Sequence, residues 1–272
     1  MTDGESDRRR RYLPSQAPAG DSSALHNGRA LLARTGPPIA VLVGILLVWQ
    51  GAIVVYGIPS LILPSPTEVA RALAETYPLL LADAAVTAVT AGVGLLAGTA
   101  IGLVLAFSMT LSRVLARTVL PYVVALRIAP LIAIAPLLFL WFGRGIPARA
   151  LLVTSLTLFP MTIATLDGLR NTPEPYLALM ESVGASDWTV FVHVRIPAAM
   201  PSVLAGAKIA ATLSVIGAVV AEFVALNAGL GYRVFYTATY LRTAESFAAL
   251  VALSVLGIAF YLLPVALERV LW

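Results

Sequence analysis

Six stretches of this chain are each long and apolar enough to cross a lipid bilayer, and that decides what it can fold into. A helix needs roughly 20 mostly apolar residues, with a range of about 17–25, to span the hydrocarbon core. Residues 38–56, 84–107, 118–142, 150–166, 201–226 and 246–267 meet that length. The third is counted although it contains Arg127, and the fifth although it contains Lys208 and Glu222. The runs are continuously apolar, whereas a barrel strand alternates polar and apolar over about 10 residues. Lipid offers the backbone no hydrogen-bond partner, so each run must satisfy its own peptide groups as a helix. The predicted fold is all-α and transmembrane: about six helices within residues 37–272, with the lipid membrane as a partner.

Charge then sets orientation. Only 12% of the residues are charged, against roughly 25% in a soluble domain. A basic excess of +4 suits nucleic acid in some proteins, but here the Arg residues lie between apolar runs, where they orient helices. No nucleic-acid partner is expected. With the N-terminus inside, the inner segments hold twelve Arg and Lys and the outer segments five, namely Arg71, Arg144, Arg149, Arg233 and Arg242. Short Lys/Arg-rich loops stay cytoplasmic, so both termini and the 170–200 segment are predicted inside the cell. Residues 1–36 are polar, contain the Arg run 8–11 and lack apolar mass, which predicts a disordered basic cytoplasmic tail. The Arg run is not followed by an apolar core, so it is not read as an export signal. There is no Cys, and His26 and His193 lie far apart, so no disulfide, thiolate chemistry, metal site or cofactor is expected.

Proline punctuates the third run at Pro121, Pro130 and Pro136, the fourth at Pro160 and the sixth at Pro264. The backbone groups these free must be satisfied by neighbouring helices or a hydrated cavity. Gly94, Gly98 and Gly102 recur every four residues in the second run, a small-residue stripe predicted to seat another helix, of the same chain in preference to a second copy of it. Charge inside a membrane is costly, which makes Arg127 and Glu222 the candidates for a translocation pathway. Arg127 could equally snorkel, and Glu222 could sit at the outer mouth.

The longest polar interruption, residues 170–200, reads as two short helices. Thr172 is expected to cap the first, with Pro173 and Glu174 in its first turn, and Gly184 to end it. Ser186 or Asp187 caps a second that runs through Trp188 and Phe191 and stops before Pro197. With Leu177, Met180, Trp188 and Phe191 available, the pair fits a docking surface or an amphipathic loop resting on lipid headgroups.

The stretch resembles the cytoplasmic signature loop of ABC importer permeases, a Glu-Ala-Ala, three residues, Gly, nine residues, Ile-x-Leu-Pro pattern. Gly184 is followed ten residues later by Val194, Arg195, Ile196 and Pro197. The leading half departs: Ala178-Leu179-Met180 stands at the Glu-Ala-Ala positions and Glu181 sits three residues late. Residues 63–69, 135–143, 196–202, 221–223 and 229–232 are similar, in order, to the nitrate/sulfonate/taurine-type permeases. The wording of 214–224 also looks like importers of vitamin-type heterocycles such as thiamine precursors or riboflavin.

The resemblance implies a type I importer permease bundle that works as a homodimer. Two ATPase subunits and an extracytoplasmic solute-binding protein would be its partners, and ATP would be bound by the partner. It places ATPase docking on Ala178, Glu181, Gly184, Ala185, Ser186, Asp187, Trp188, Phe191 and Pro197. The chain has no Gly-x-x-x-x-Gly-Lys-Ser/Thr loop, so it is expected to catalyse no ATP hydrolysis itself. A secondary ion-coupled carrier is the alternative, but no internal repeat is evident and only Glu222 is an acid clearly within a span. An intramembrane hydrolase ranks last, for want of a Gly-x-Ser-x-Gly or a Ser/His set.

Overall fold

The computed structural model describes residues 22–128 and 131–271. Every element among them is helical: α1 (Ser22–Tyr56), α2 (Pro66–Leu111), α3 (Arg113–Ile128), α4 (Leu131–Phe142), α5 (Ile146–Arg170), α6 (Glu174–Ser182), α7 (Asp187–Val190), a π turn (Phe191–Arg195), α8 (Ile196–Ala225), α9 (Leu230–Thr239) and α10 (Thr243–Leu271). Five of the helices are long and apolar enough to cross a membrane, or six if the bent pair α3–α4 counts as one.

Among the described residues, those up to Tyr56 form one unit and those from Gly57 onward a second. In the first, α1 begins at Ser22, so its backbone enters the segment predicted to be a disordered tail. Ala24-Leu25 and Ala30-Leu31-Leu32-Ala33 are strong helix formers leading into the apolar run, which accounts for the earlier start. Residues 1–21, with the Arg run, lie outside the described residues.

In the second unit α2 has 46 residues, roughly 69 Å at 1.5 Å per residue, more than twice the hydrocarbon core. It starts earlier than its apolar run because Ser65 and Glu68 form a reciprocal cap. The Glu68 N–H donates to Ser65 Oγ at 3.3 Å, and the Ser65 N–H donates to Glu68 Oε2 at 2.7 Å. The glycine stripe meets α5 within the chain. A Cβ at Gly102 would stand 2.8 Å from Met161 Cβ, and one at Gly94 or Gly98 would collide with Val153 or Thr157. Thr157 Oγ1 lies 3.2 Å from the Gly94 carbonyl, so the close approach also sets hydroxyls against the facing backbone. α8 packs on the other side of α5 by the same device: Cβ atoms at Gly168 and Gly206 would lie 2.7 and 2.6 Å from Ser202 and Ala164 Cβ. α10 runs antiparallel to α8, tied by Lys208 Nζ donating to Glu268 at 2.6 Å.

Two expectations are corrected. The third run is not one straight span: α3 and α4 diverge by 103°. The sequence places Pro130 at that junction, where a missing N–H and a ring against the preceding turn end a helix. The second loop helix does not stop before Pro197 either. Helix continues from Asp187 to Ala225 over 39 residues. The π turn supplies the passage, with the Ile196 N–H donating to the Phe191 carbonyl five residues back. This wider turn immediately precedes Pro197, whose ring would otherwise press on the His193 carbonyl.

Candidate functional site

Two places combine unusual chemistry with defined geometry, one at each end of the bundle. At one end α6 and α7 meet in an elbow. Gly184 has φ +67°, its N–H donates to the Glu181 carbonyl at 2.9 Å, and the Ala185 N–H donates to the Met180 carbonyl at 3.0 Å. That pair of bonds is a Schellman ending, which satisfies two orphan carbonyls of α6 through a left-handed residue. Ser186 then caps α7, accepting from the Thr189 N–H at 3.2 Å; Asp187 is the first helical residue. The predicted Thr172 cap is absent. Pro173 occupies the N-cap of α6, and the Thr172 hydroxyl donates to the Leu169 carbonyl at 3.2 Å instead.

The elbow sorts the predicted docking residues. Ala178, Glu181, Gly184, Ser186, Asp187, Trp188 and Pro197 are exposed and Ala185 is half-buried. Phe191 is corrected: it is 4% exposed, against Leu169 and Ala199 and edge-on to Phe107 of α2 at 5.7 Å. As the first residue of the π turn it points into the bundle, and Trp188 stacks on it at 5.8 Å. Phe191 therefore anchors the elbow, and the open apolar set is Tyr176, Leu179, Val183 and Trp188. Tyr176 and Val183 carried no signal beyond being apolar residues in a polar loop.

At the other end, α9 starts inside the protein. Its first three N–H groups have no carbonyl to bond within the helix. The Gly229 N–H donates to Asp83 Oδ1 at 3.3 Å, the Leu230 N–H to Thr87 Oγ1 at 2.8 Å and the Gly231 N–H to Glu222 Oε2 at 2.8 Å. Thr87 in turn donates to Glu222 at 3.1 Å, and Arg233 Nε donates to Asp83 Oδ2 at 2.7 Å. Arg149, also buried, reaches the Ala228 carbonyl at 3.5 Å. Gly229 has φ +105°, and a Cβ there would strike the Glu222 carboxylate, so only glycine fits. Glu222 is 0% exposed. Its carboxylate lies inside the bundle, where it caps a helix from the side. Asp83 and Thr87 were not singled out from the sequence, and Arg149 and Arg233 were read there only as outer-face charges.

Arg127, the other pathway candidate, is exposed at the last turn of α3. Its guanidinium lies 4.5 Å from the Phe159 ring centroid, within cation–π range. It borders a cavity of about 230 Å³ between α3, α5 and α8, lined also by Ser155, Pro160, Ile209 and Leu213. No acidic side chain pairs with it among the described residues. His193 is exposed, with Nδ1 3.2 Å from the Thr189 carbonyl.

Residues 98–271 match the family described as "Binding-protein-dependent transport system inner membrane component". The chain is 35% identical to a probable ABC transporter permease protein of Haemophilus influenzae, over 86% of this chain and 96% of that one. It is 33% identical to the formylaminopyrimidine transport permease protein ThiX of Halalkalibacterium halodurans, over 84% and 91%. It is 34% identical to the putative aliphatic sulfonates transport permease protein SsuC of Escherichia coli, over 79% and 82%. The chain belongs to the binding-protein-dependent ABC transporter permease family, and it is a multi-pass inner-membrane transport component.

Proposed function

We propose that the chain is the membrane subunit of an ATP-driven importer, working as a homodimer with two ATPase subunits and an extracytoplasmic solute-binding protein. The observation that carries this reading is the elbow: an apolar face of Tyr176, Leu179, Val183 and Trp188 held rigidly, outside the bundle, on the end of a 39-residue helix. That helix is roughly 58 Å long, and its far end leads into the turn before α9. A push on the elbow by a closing ATPase dimer would travel along it to the opposite face as a rigid-body change between two states. ATP is bound and hydrolysed by the partner; this chain positions the solute path and moves it.

Arg127 and the cavity beside Phe159 form part of that path in this reading. An exposed cation in a membrane needs water, a counter-charge or a partner copy. Relatives named for aliphatic sulfonates, formylaminopyrimidine and riboflavin support a sulfonate or a vitamin-type heterocycle as the solute, while nitrate and taurine rest on the sequence resemblance alone. The test is cross-linking. A Cys at Leu179 should join the ATPase subunit in the assembled transporter, and Trp188→Asp should abolish co-purification without reducing membrane abundance. Full co-purification of the Trp188→Asp variant would remove the elbow from the interface.

A further inference from the structure

Arg113 and Arg117 sit one turn apart at the start of α3, and Arg170 ends α5, 53 positions after Arg117 in the chain. The fold brings all three to the rim of one depression of about 270 Å³, floored by Ala116 and Leu120. None of the three forms an ion pair among the described residues, and no acidic side chain lines the depression. Like charges at i and i+4 repel along a helix, and adding a third raises that cost unless an anion is present. Orientation in the membrane requires only that Arg be on the correct side of the bilayer; it does not require convergence on one hollow. A guanidinium presents a planar fork of donors suited to phosphate oxygens, and three around an apolar floor match a phosphate attached to an apolar body.

We propose that this depression binds the phosphate of an anionic lipid headgroup, with Arg113, Arg117 and Arg170 on the phosphate and Ala116 and Leu120 against the glycerol and upper acyl chain. The site lies at the elbow end of the bundle, where α2 turns into α3 and α5 leaves for α6. A lipid held there braces α3 against α5 just below the elbow. Ala116 already packs with Ala106, Met109 and Leu166 in a small core at this point.

The test compares three forms of the full chain purified in mild detergent and exposed to phosphatidylglycerol or phosphatidylcholine, with bound lipid counted by native mass spectrometry. The forms are wild type, the Arg113→Gln/Arg117→Gln/Arg170→Gln variant and a charge-matched Arg71→Gln/Arg144→Gln/Arg269→Gln control. Wild type and control should retain phosphatidylglycerol in preference to phosphatidylcholine. The first variant should lose that preference, with binding roughly fivefold weaker per guanidinium removed. If that variant does not fold, Arg170→Gln alone should show one step of the loss, and Arg170→Lys should restore most of it. Equal phosphatidylglycerol binding by the variant and the control overturns the proposal. So does displacement of the lipid by millimolar inorganic phosphate, because the apolar floor would then contribute nothing.

Discussion

Gly184 shows how little has to change for the elbow to fail. Nothing lies within 4 Å of where its Cβ would be, so a side chain there meets open space and the constraint is the backbone alone, at φ +67°. Holding a β-branched residue in that conformation costs roughly 1–2 kcal/mol, whereas Asn tolerates it. Gly184→Val should insert normally and reach normal abundance yet lose ATPase-subunit binding and uptake, while Gly184→Asn keeps most of both. Loss of the Val protein from the membrane would instead make the glycine a folding residue. Ala178→Glu restores the family's usual acid on an exposed position of α6 and should be tolerated. At the opposite end, Glu222→Ala leaves the buried Gly231 N–H without an acceptor, at a cost of about 1–3 kcal/mol. Its thermal midpoint in detergent should fall clearly, and an unchanged midpoint would mean that the carboxylate does not hold α9.

Among the helices, the long apolar runs were legible because a span imposes its own length on the sequence. The glycine stripe was legible too, since a four-residue period marks one helix face. The α3–α4 break was visible only as prolines, and proline inside a run is tolerated in some spans and breaks others. The continuation of α7 into α8 was hidden because Pro197 normally stops a helix and a π turn leaves no pattern in the residues. The cap on α9 was hidden for a different reason. Asp83 and Thr87 are isolated polar residues well over a hundred positions from the backbone they bond, and residues 229–232 were read only as part of a family resemblance. The α2–α5 seam gives the sharpest contrast between neighbouring positions. Gly98→Val should sharply destabilise the protein, since its Cβ would strike Thr157, whereas Gly92→Val, with nothing within 4 Å, should be near neutral by the same thermal assay.

At the scale of the whole molecule, one 39-residue helix joins two ends of the bundle: an exposed apolar elbow at its start and a side-capped α9 beyond its end. Its orientation is open to direct labelling, because the chain has no Cys to confuse the signal. A Cys at Ser186 should react only from the cytoplasmic side and one at Ser65 only from outside; the reverse would end the docking assignment. The most direct measurement reconstitutes the chain in lipid nanodiscs, alone and with its ATPase subunit and solute-binding protein, and follows ATP turnover. The account predicts no turnover by the chain alone. It predicts turnover by the complex that the loaded binding protein stimulates from the opposite face, and loss of that stimulation when Leu179 and Trp188 are changed to Asp. Nucleotide turnover by the isolated chain, or stimulation that survives both changes, would contradict it.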